Sequence, residues 1–208
     1  YEPTPPHTWF RSSVPSLPVG SGGNAVADVL FGDVNPSGKL TVSFPYAEGQ
    51  IPNHYNYRRS GRPGDMEQTS TVRHIDLKNK NLFPFGYGLS YTSFAYGAVE
   101  CASRFDANGH LKVAVNVTNT GERDGEETVQ LYVADKVASM VRPVKELKGF
   151  KKVPIKRGET LRVEFDLHVR DLGFYTNSMK YVVEPGEFEI MVGPNSEELK
   201  TKTVVWEK

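Results

Sequence analysis

The sequence has a single cysteine and no excess of charge of either sign. Cys101 is the one cysteine in 208 residues, so the chain cannot form an internal disulfide or a metal site built from several thiolates. We expect it to be a small apolar side chain, buried or half-buried. The 25 basic residues equal the 25 acidic residues in number. Because no basic excess is available to neutralise phosphates, nucleic acid is not an expected partner.

Long apolar runs and familiar catalytic motifs are also lacking. No run reaches the ~18 apolar residues that span a bilayer, so no membrane span is expected. The sequence has no Gly-x-Ser-x-Gly elbow around a nucleophilic serine. None of the five histidines forms an i, i+4 pair suited to a metal. His74 and Asp76 share one face of an extended segment, and we interpret them as a solvated pair. We therefore expect no metal and no cofactor.

Residues 1–45 contain the pattern of one helix and one strand. Five prolines preclude a regular helix in the first 20 residues. Apolar residues then recur on one helical face from position 25 to position 30, and Gly32 follows where a C-terminal cap is expected. Alternation predicts a strand over residues 39–44. Because one helix and one strand cannot bury a core, we interpret residues 1–45 as the C-terminal remnant of an α/β sandwich domain.

Residues 46–93 are predicted to be a long loop followed by a rigid aromatic linker. Breakers and polar residues dominate up to position 81, and a loop of this length is usually functional or disordered. The stretch 54–63 combines aromatic faces with guanidinium groups, a combination that suits sugars because Arg offers five donors. The candidate substrate-binding residues are Tyr55, Tyr57, Arg58 and Arg62. The alternative is an ordered surface or interface loop.

Residues 94–208 have the pattern of a β-sandwich of fibronectin type III or immunoglobulin kind, so the fold class is mainly β. Short alternating segments are separated by turn signals, and no long helical period interrupts them. A tight hairpin is predicted at Glu184-Pro185-Gly186. The adjacent carboxylates Glu126 and Glu127 would point to opposite faces of a strand, and we interpret them as solvated turn residues. The predicted strands are 111–117, 128–133, 144–150, 160–167, 179–183, 187–192 and 201–206.

Several segments together resemble glycoside hydrolase family 3. Residues 23–45 resemble the end of the second domain of that family, and residues 82–92 look like its linker into a fibronectin-type domain. The sandwich itself is matched by four short motifs: Asn119-Thr120-Gly121 and residues 130–133, 142–150 and 184–188. The resemblance covers residues 22–208, and it is to bacterial β-glucosidases and β-xylosidases.

This resemblance implies a longer retaining enzyme with an N-terminal barrel, an α/β sandwich and this C-terminal module. An aspartate on the barrel attacks the anomeric carbon and a glutamate serves as acid/base, with carboxyl groups about 5–5.5 Å apart. The sequence lacks a Ser-Asp-Trp-type nucleophile motif. We therefore assign no catalytic residue to this chain and expect it to be inactive alone.

The resemblance also implies the partners. These are the barrel and α/β domains of the same enzyme, and an oligosaccharide or glycoside with β-linked glucose or xylose. A homodimer is left open. The implied location is periplasmic or secreted, with the cytoplasm as the alternative. A rival function is a stand-alone sandwich module that binds carbohydrate or protein, since a sandwich fold does not decide function.

Overall fold

The protein is described here from a computed structural model, which covers residues 22–59 and 80–207. It contains helix α1 (Gly22–Phe31), two short 3₁₀ helices (Glu48–Gln50 and Val169–Leu172) and ten strands. The strands are β1 (Phe94–Tyr96), β2 (Glu100–Cys101), β3 (His110–Asn119), β4 (Gly125–Asp135), β5 (Glu146–Ile155), β6 (Thr160–His168), β7 (Phe174–Tyr175), β8 (Tyr181–Val182), β9 (Gly186–Gly193) and β10 (Lys200–Trp206).

Two antiparallel four-stranded sheets form the predicted β-sandwich. In the first sheet, β3 pairs with β6 along one side and with β1 and β2 along the other. The second sheet has the order β10-β9-β4-β5. Alternate residues of both sheets meet in one core, as the sequence alternation requires. The fully buried side chains of this core include Leu111, Val113, Val115, Val117, Val129, Leu131, Ile155, Leu167, Phe188, Ile190 and Val192.

Strand β4 is buried on both faces, which the alternation did not predict. Val129 and Leu131 point into the sandwich core. Tyr132 has no exposed surface, yet it belongs to a second apolar cluster on the outer face of the sheet. Phe85 and Tyr55, from outside the sandwich, pack against that cluster. The sandwich is therefore covered on one outer face by the segments that precede it in sequence.

The predicted helix before Gly32 is confirmed, whereas the predicted strand over residues 39–44 is wrong. Gly32 has φ +82° and ends the helix, although no residue of α1 is buried. Residues 39–44 form no strand, because the chain bends at residues 41 and 42 and only an isolated bridge joins Phe44 to Phe83. The Leu40 N–H donates to the Tyr87 carbonyl at 2.7 Å, and the Phe44 N–H donates to the Phe83 carbonyl at 2.8 Å. The segment thus pairs with the linker.

The predicted hairpin at Glu184-Pro185-Gly186 is also wrong. Strand β8 pairs with β7, through a turn in which Met179 has φ +59°. Strand β9 already has β10 on one side and β4 on the other, so neither of its edges is free for β8. The short strands β1, β2 and β7 were not predicted, because two or three residues are too few to show alternation. Cys101, in β2, is half-buried as expected.

Candidate functional site

Residues 35–45 and 82–92 meet at a junction on the outer face of the second sheet. The centre of this junction is Gln130 of β4, which is buried. Its Nε2 donates to the carbonyl oxygens of Gly86, at 3.1 Å, and Pro194, at 2.6 Å. Its Oε1 accepts a hydrogen bond from the Tyr132 hydroxyl at 2.6 Å. The side-chain amide therefore ties the linker, the sheet and the loop after β9 together.

Gly86 and Gly88 allow the linker to approach this closely. Gly86 has φ +80°, a conformation that favours glycine, and a β-carbon there would overlap the amide of Gln130. At Gly88 a β-carbon would overlap the carbonyl oxygen of Gly38. Both glycines are thus required by packing at the junction.

An open cleft of about 320 Å³ lies beside the junction, with a charged pair at its side. Lys39 Nζ lies 3.1 Å from Glu127 Oε2, and both side chains are largely buried, at 15% and 5% exposure. The Tyr96 hydroxyl donates to Glu127 Oε1 at 2.8 Å. Burial, followed by the negative charge of Glu127, raises the pKa of Tyr96 far above its ordinary range. Each polar group has a partner, so the cluster holds the junction together.

Glu127 corrects the interpretation of the adjacent carboxylates. Glu126 and Glu127 do point to opposite faces of β4, as expected. Glu126 is exposed and pairs with Lys152 at 2.7 Å. Glu127 is buried instead of solvated, because Lys39 from the preceding segment neutralises it. No local sequence signal marks this pair, since its members are 88 positions apart.

The predicted substrate-binding loop divides into an anchor and an exposed part. Tyr55 is the anchor: its ring stacks on Phe85 with centroids 4.3 Å apart and meets Tyr132 edge-on at 5.8 Å. Its hydroxyl accepts the Leu147 N–H at 3.2 Å. Tyr57 is 60% exposed. Tyr55 thus serves the packing of the loop, while Tyr57 is presented to solvent.

Two main-chain contacts hold the exposed part of this loop. The Val144 N–H donates to the Tyr57 carbonyl at 2.9 Å. Arg58 forms an antiparallel bridge with Pro143, and its side chain is exposed. Residues 55–58 therefore run antiparallel to residues 143–147. Arg62 lies outside the described residues, as do His74 and Asp76.

Within residues 22–59 and 80–207, no three His, Cys, Asp or Glu side chains are grouped so that they could hold a metal ion. The helices in the same ranges are too short or too polar to cross a bilayer.

Two protein-family models match different parts of the chain. Residues 15–91 match a family model described as "Glycosyl hydrolase family 3 C-terminal domain". Residues 127–196 match a model described as "Fibronectin type III-like domain". The first match contains the segments that reach the junction from before the sandwich. The second match lies within the sandwich and contains Gln130, the centre of the junction.

Related proteins are similar to this chain over nearly all of its length. A periplasmic β-glucosidase of Salmonella typhimurium is 46% identical over 196 residues, which are 93% of this chain and 25% of that protein. A β-xylosidase of Formosa agariphila is 46% identical over 183 residues, 88% of this chain and 25% of that protein. The chain thus spans about a quarter of the length of these curated relatives.

Solved structures share the fold. The β-glucosidase of Listeria innocua in complex with glucose superposes with a TM-score of 0.85 at 38% identity, over 90% of this chain and 26% of that one. The family 3 β-glucosidase of Bifidobacterium adolescentis gives a TM-score of 0.72 at 35% identity, over 89% of this chain and 28% of that one.

Proposed function

Because the chain belongs to glycosyl hydrolase family 3, as a C-terminal portion of it, we propose that it is the structural C-terminal part of a longer β-glucosidase-type enzyme. In this proposal the enzyme is retaining and acts on β-linked glucosides or xylosides. The described residues contribute the junction and the sandwich, and the two catalytic carboxylates belong to other domains. The proposed location is periplasmic or secreted, as the name of the Salmonella relative states for that protein.

The observation that carries this proposal is the burial of one outer face of the sandwich under the segments that precede it. A stand-alone module is expected to have a polar outer face on each sheet. Here Gln130 and Tyr132 of the outer face are buried under the linker, and Lys39 reaches the sheet from the remnant before it. This arrangement favours a brace between domains over an independent binding module.

Exposed apolar side chains between positions 30 and 51 also support the proposal. Phe31 is 84% exposed and Ile51 is 65% exposed. Several large apolar side chains exposed within one short stretch of sequence favour an interface. We name it the apolar strip, and its members are Leu30, Phe31, Val34, Val42, Phe44, Tyr46 and Ile51. We propose that the upstream domains of the enzyme cover it.

Activity of the chain alone and of a chimera tests the proposal. The pure 208-residue chain should not hydrolyse an aryl β-glucoside or β-xyloside above trace level. Replacing the matching quarter of the Salmonella relative by this chain should preserve hydrolysis, whereas deleting that quarter should abolish it. The same chimera with Ile51→Asp tests the interface: it should lose activity or assembly, because a charge would enter the covered apolar surface. Turnover by the isolated chain would refute the proposal.

We further propose that the loop with Tyr57, Arg58 and Arg62 shapes the substrate cleft of that enzyme. Exposed aromatic and guanidinium groups suit contact with sugar hydroxyls and rings. In the chimera, Tyr57→Ala and Arg58→Ala should each raise KM for a β-linked disaccharide by roughly threefold to tenfold. Arg157→Ala, which removes an exposed arginine in the turn between β5 and β6, is the control. Equal kinetics in all three variants would rule out this role.

Affinity electrophoresis distinguishes a structural role of this chain from a role as a binding module. The isolated chain should migrate normally through gels that contain soluble glucan or xylan. Clear retardation would instead favour the binding module.

A further inference from the structure

Arg142 joins three parts of the sandwich just before β5. Its guanidinium carbon lies 4.7 Å from the ring centroid of Phe174, in the β7–β8 hairpin. Its Nη2 donates to Glu146 Oε2 at 2.7 Å and to the Leu172 carbonyl at 3.4 Å. Its Nε lies 4.0 Å from Asp135 Oδ2, at the end of β4. With a side chain only 12% exposed, Arg142 is held from several directions.

The main chain next to Arg142 is the surface along which the loop with Tyr57 and Arg58 lies. Pro143 forms the bridge with Arg58, and Val144 donates its N–H to Tyr57. The pairing of β4 with β5 extends only as far as Glu146. Residues 143 and 144 therefore lie beyond that ladder, and their position depends on what holds Arg142.

We propose that Arg142 is a positioning residue for the substrate cleft: by fixing residues 143 and 144, it sets the direction in which Tyr57 and Arg58 project. This inference rests on the proposed role of that loop. The guanidinium group is suited to the task because one planar group stacks on a ring and donates from its edge at the same time. A lysine offers a point charge and cannot do both.

Tyr55 is held independently of Arg142. Its stacking on Phe85 and its contact with Tyr132 involve the junction and not the β7–β8 hairpin. Loss of Arg142 should thus loosen the loop at positions 57 and 58 and leave position 55 in place. This difference separates local positioning from general destabilisation.

Native-state hydrogen exchange on the 208-residue chain tests the inference. In Arg142→Lys, the Val144 amide, which donates to Tyr57, should exchange about tenfold faster. The Leu147 amide, which donates to the Tyr55 hydroxyl, should change by less than about twofold. Arg157→Lys is the matched control, because Arg157 is 62% exposed and pairs only at the surface. If Arg142→Lys does not fold, Phe174→Leu removes the stacking surface alone and should accelerate Val144 in the same way.

Two results would overturn different parts of the argument. Unchanged exchange at Val144, or equal acceleration at Val144 and Leu147, overturns the role of Arg142. In the chimeric hydrolase, Arg142→Lys should raise KM for a β-linked disaccharide about threefold and leave kcat within about twofold. Faster Val144 exchange with an unchanged KM leaves Arg142 as the fixing residue but overturns the substrate role of the loop itself.

Discussion

The pair of Lys39 and Glu127 is the residue-scale feature with the clearest energetic consequence. Glu127→Gln keeps the shape of the side chain but leaves the Lys39 ammonium largely buried without its counter-charge. We expect the free energy of unfolding to fall by about 2–4 kcal/mol, since breaking a buried pair exposes the desolvation cost of the remaining charge. Urea denaturation measures the change. Lys39→Met combined with Glu127→Gln removes both charges and keeps an acceptor for the Tyr96 hydroxyl, so it should recover most of the loss. Failure to do so would show that the charges are not the cause.

The same pair predicts how stability depends on alkaline pH. Burial and the charge of Glu127 raise the pKa of Tyr96 in the folded state. A group with a raised folded pKa stabilises the protein fully below its unfolded pKa, which is about 10 for tyrosine, and this stabilisation is lost as the pH rises further. The thermal midpoint should fall above about pH 10, and less steeply in Tyr96→Phe, which has no hydroxyl to titrate. A steeper fall in the variant would contradict this assignment.

Gly86 offers a second residue-scale prediction with a control in the same chain. Gly86→Ala should cost about 2–4 kcal/mol, because alanine is strained at φ +80° and its methyl group overlaps the Gln130 amide. Gly158→Ala shares the positive φ, at +73°, but nothing lies within 4 Å of the added carbon. That variant should cost only about 1 kcal/mol. Equal losses in the urea midpoints of the two variants would mean that the contact with Gln130 is not tight.

Single residues were the hardest part of this molecule to predict from sequence. Tyr55 was identified as a residue of interest, but its ring faces Phe85 instead of solvent. The interpretation of Glu127 as solvated is wrong, and no local pattern marks Gln130 as buried, because the partners of both residues are distant in sequence. Burial of a polar residue depends on what covers it, and that information is not local.

At the scale of elements, the loop anchored by Tyr55 can be separated into its two contributions. Tyr55→Phe removes only the hydrogen bond from Leu147 and should cost about 0.5–1.5 kcal/mol. Tyr55→Ala also removes the stacking on Phe85 and the contact with Tyr132, and should cost about 2–4 kcal/mol. Chemical denaturation of the two variants checks the difference. A Tyr55→Ala variant as stable as Tyr55→Phe would show that the ring does not anchor the loop.

Strands were predictable where one face is buried and the other is solvated. Strands β3 and β6 follow the alternation closely, and their predicted bounds lie within two residues of the observed ones. The segment 39–44 alternates in the same manner but has only the linker beside it. Val42 and Phe44 of that segment stay exposed, so alternation predicts a strand only where a neighbouring strand pairs with it and a core covers one face.

For the whole molecule, the apolar strip predicts how the isolated chain behaves in solution. Because Phe31 and Ile51 are exposed, the chain should bind a dye such as ANS and associate as its concentration rises. The double variant Phe31→Ser and Ile51→Ser should reduce both dye binding and association, with little change in the thermal midpoint. Val137→Ser, at another exposed position outside the strip, should leave dye binding nearly unchanged. Equal dye binding in all variants would contradict the location of this surface.

The overall architecture was predictable because its signals are spread over many residues. The sandwich follows from repeated alternation, and family membership follows from several motifs distributed from position 23 to position 188. The division into residues 1–45, 46–93 and 94–208 stays a prediction. The way the parts fit together rests on contacts between distant positions, and these only became visible in three dimensions.

The distance in sequence between Lys39 and Glu127 has a consequence for the order in which the chain folds. The hairpins β4–β5 and β9–β10 join neighbouring segments and need only short loops to close. The junction must bring together positions 88 residues apart, so its closure carries a larger entropic cost and should come later. At about 5–20 residues per second, the segment with Lys39 leaves the ribosome on the order of 5–20 s before its partner strand. During that interval Lys39 has no Glu127 to pair with, so the junction can form only after β4 has left the ribosome.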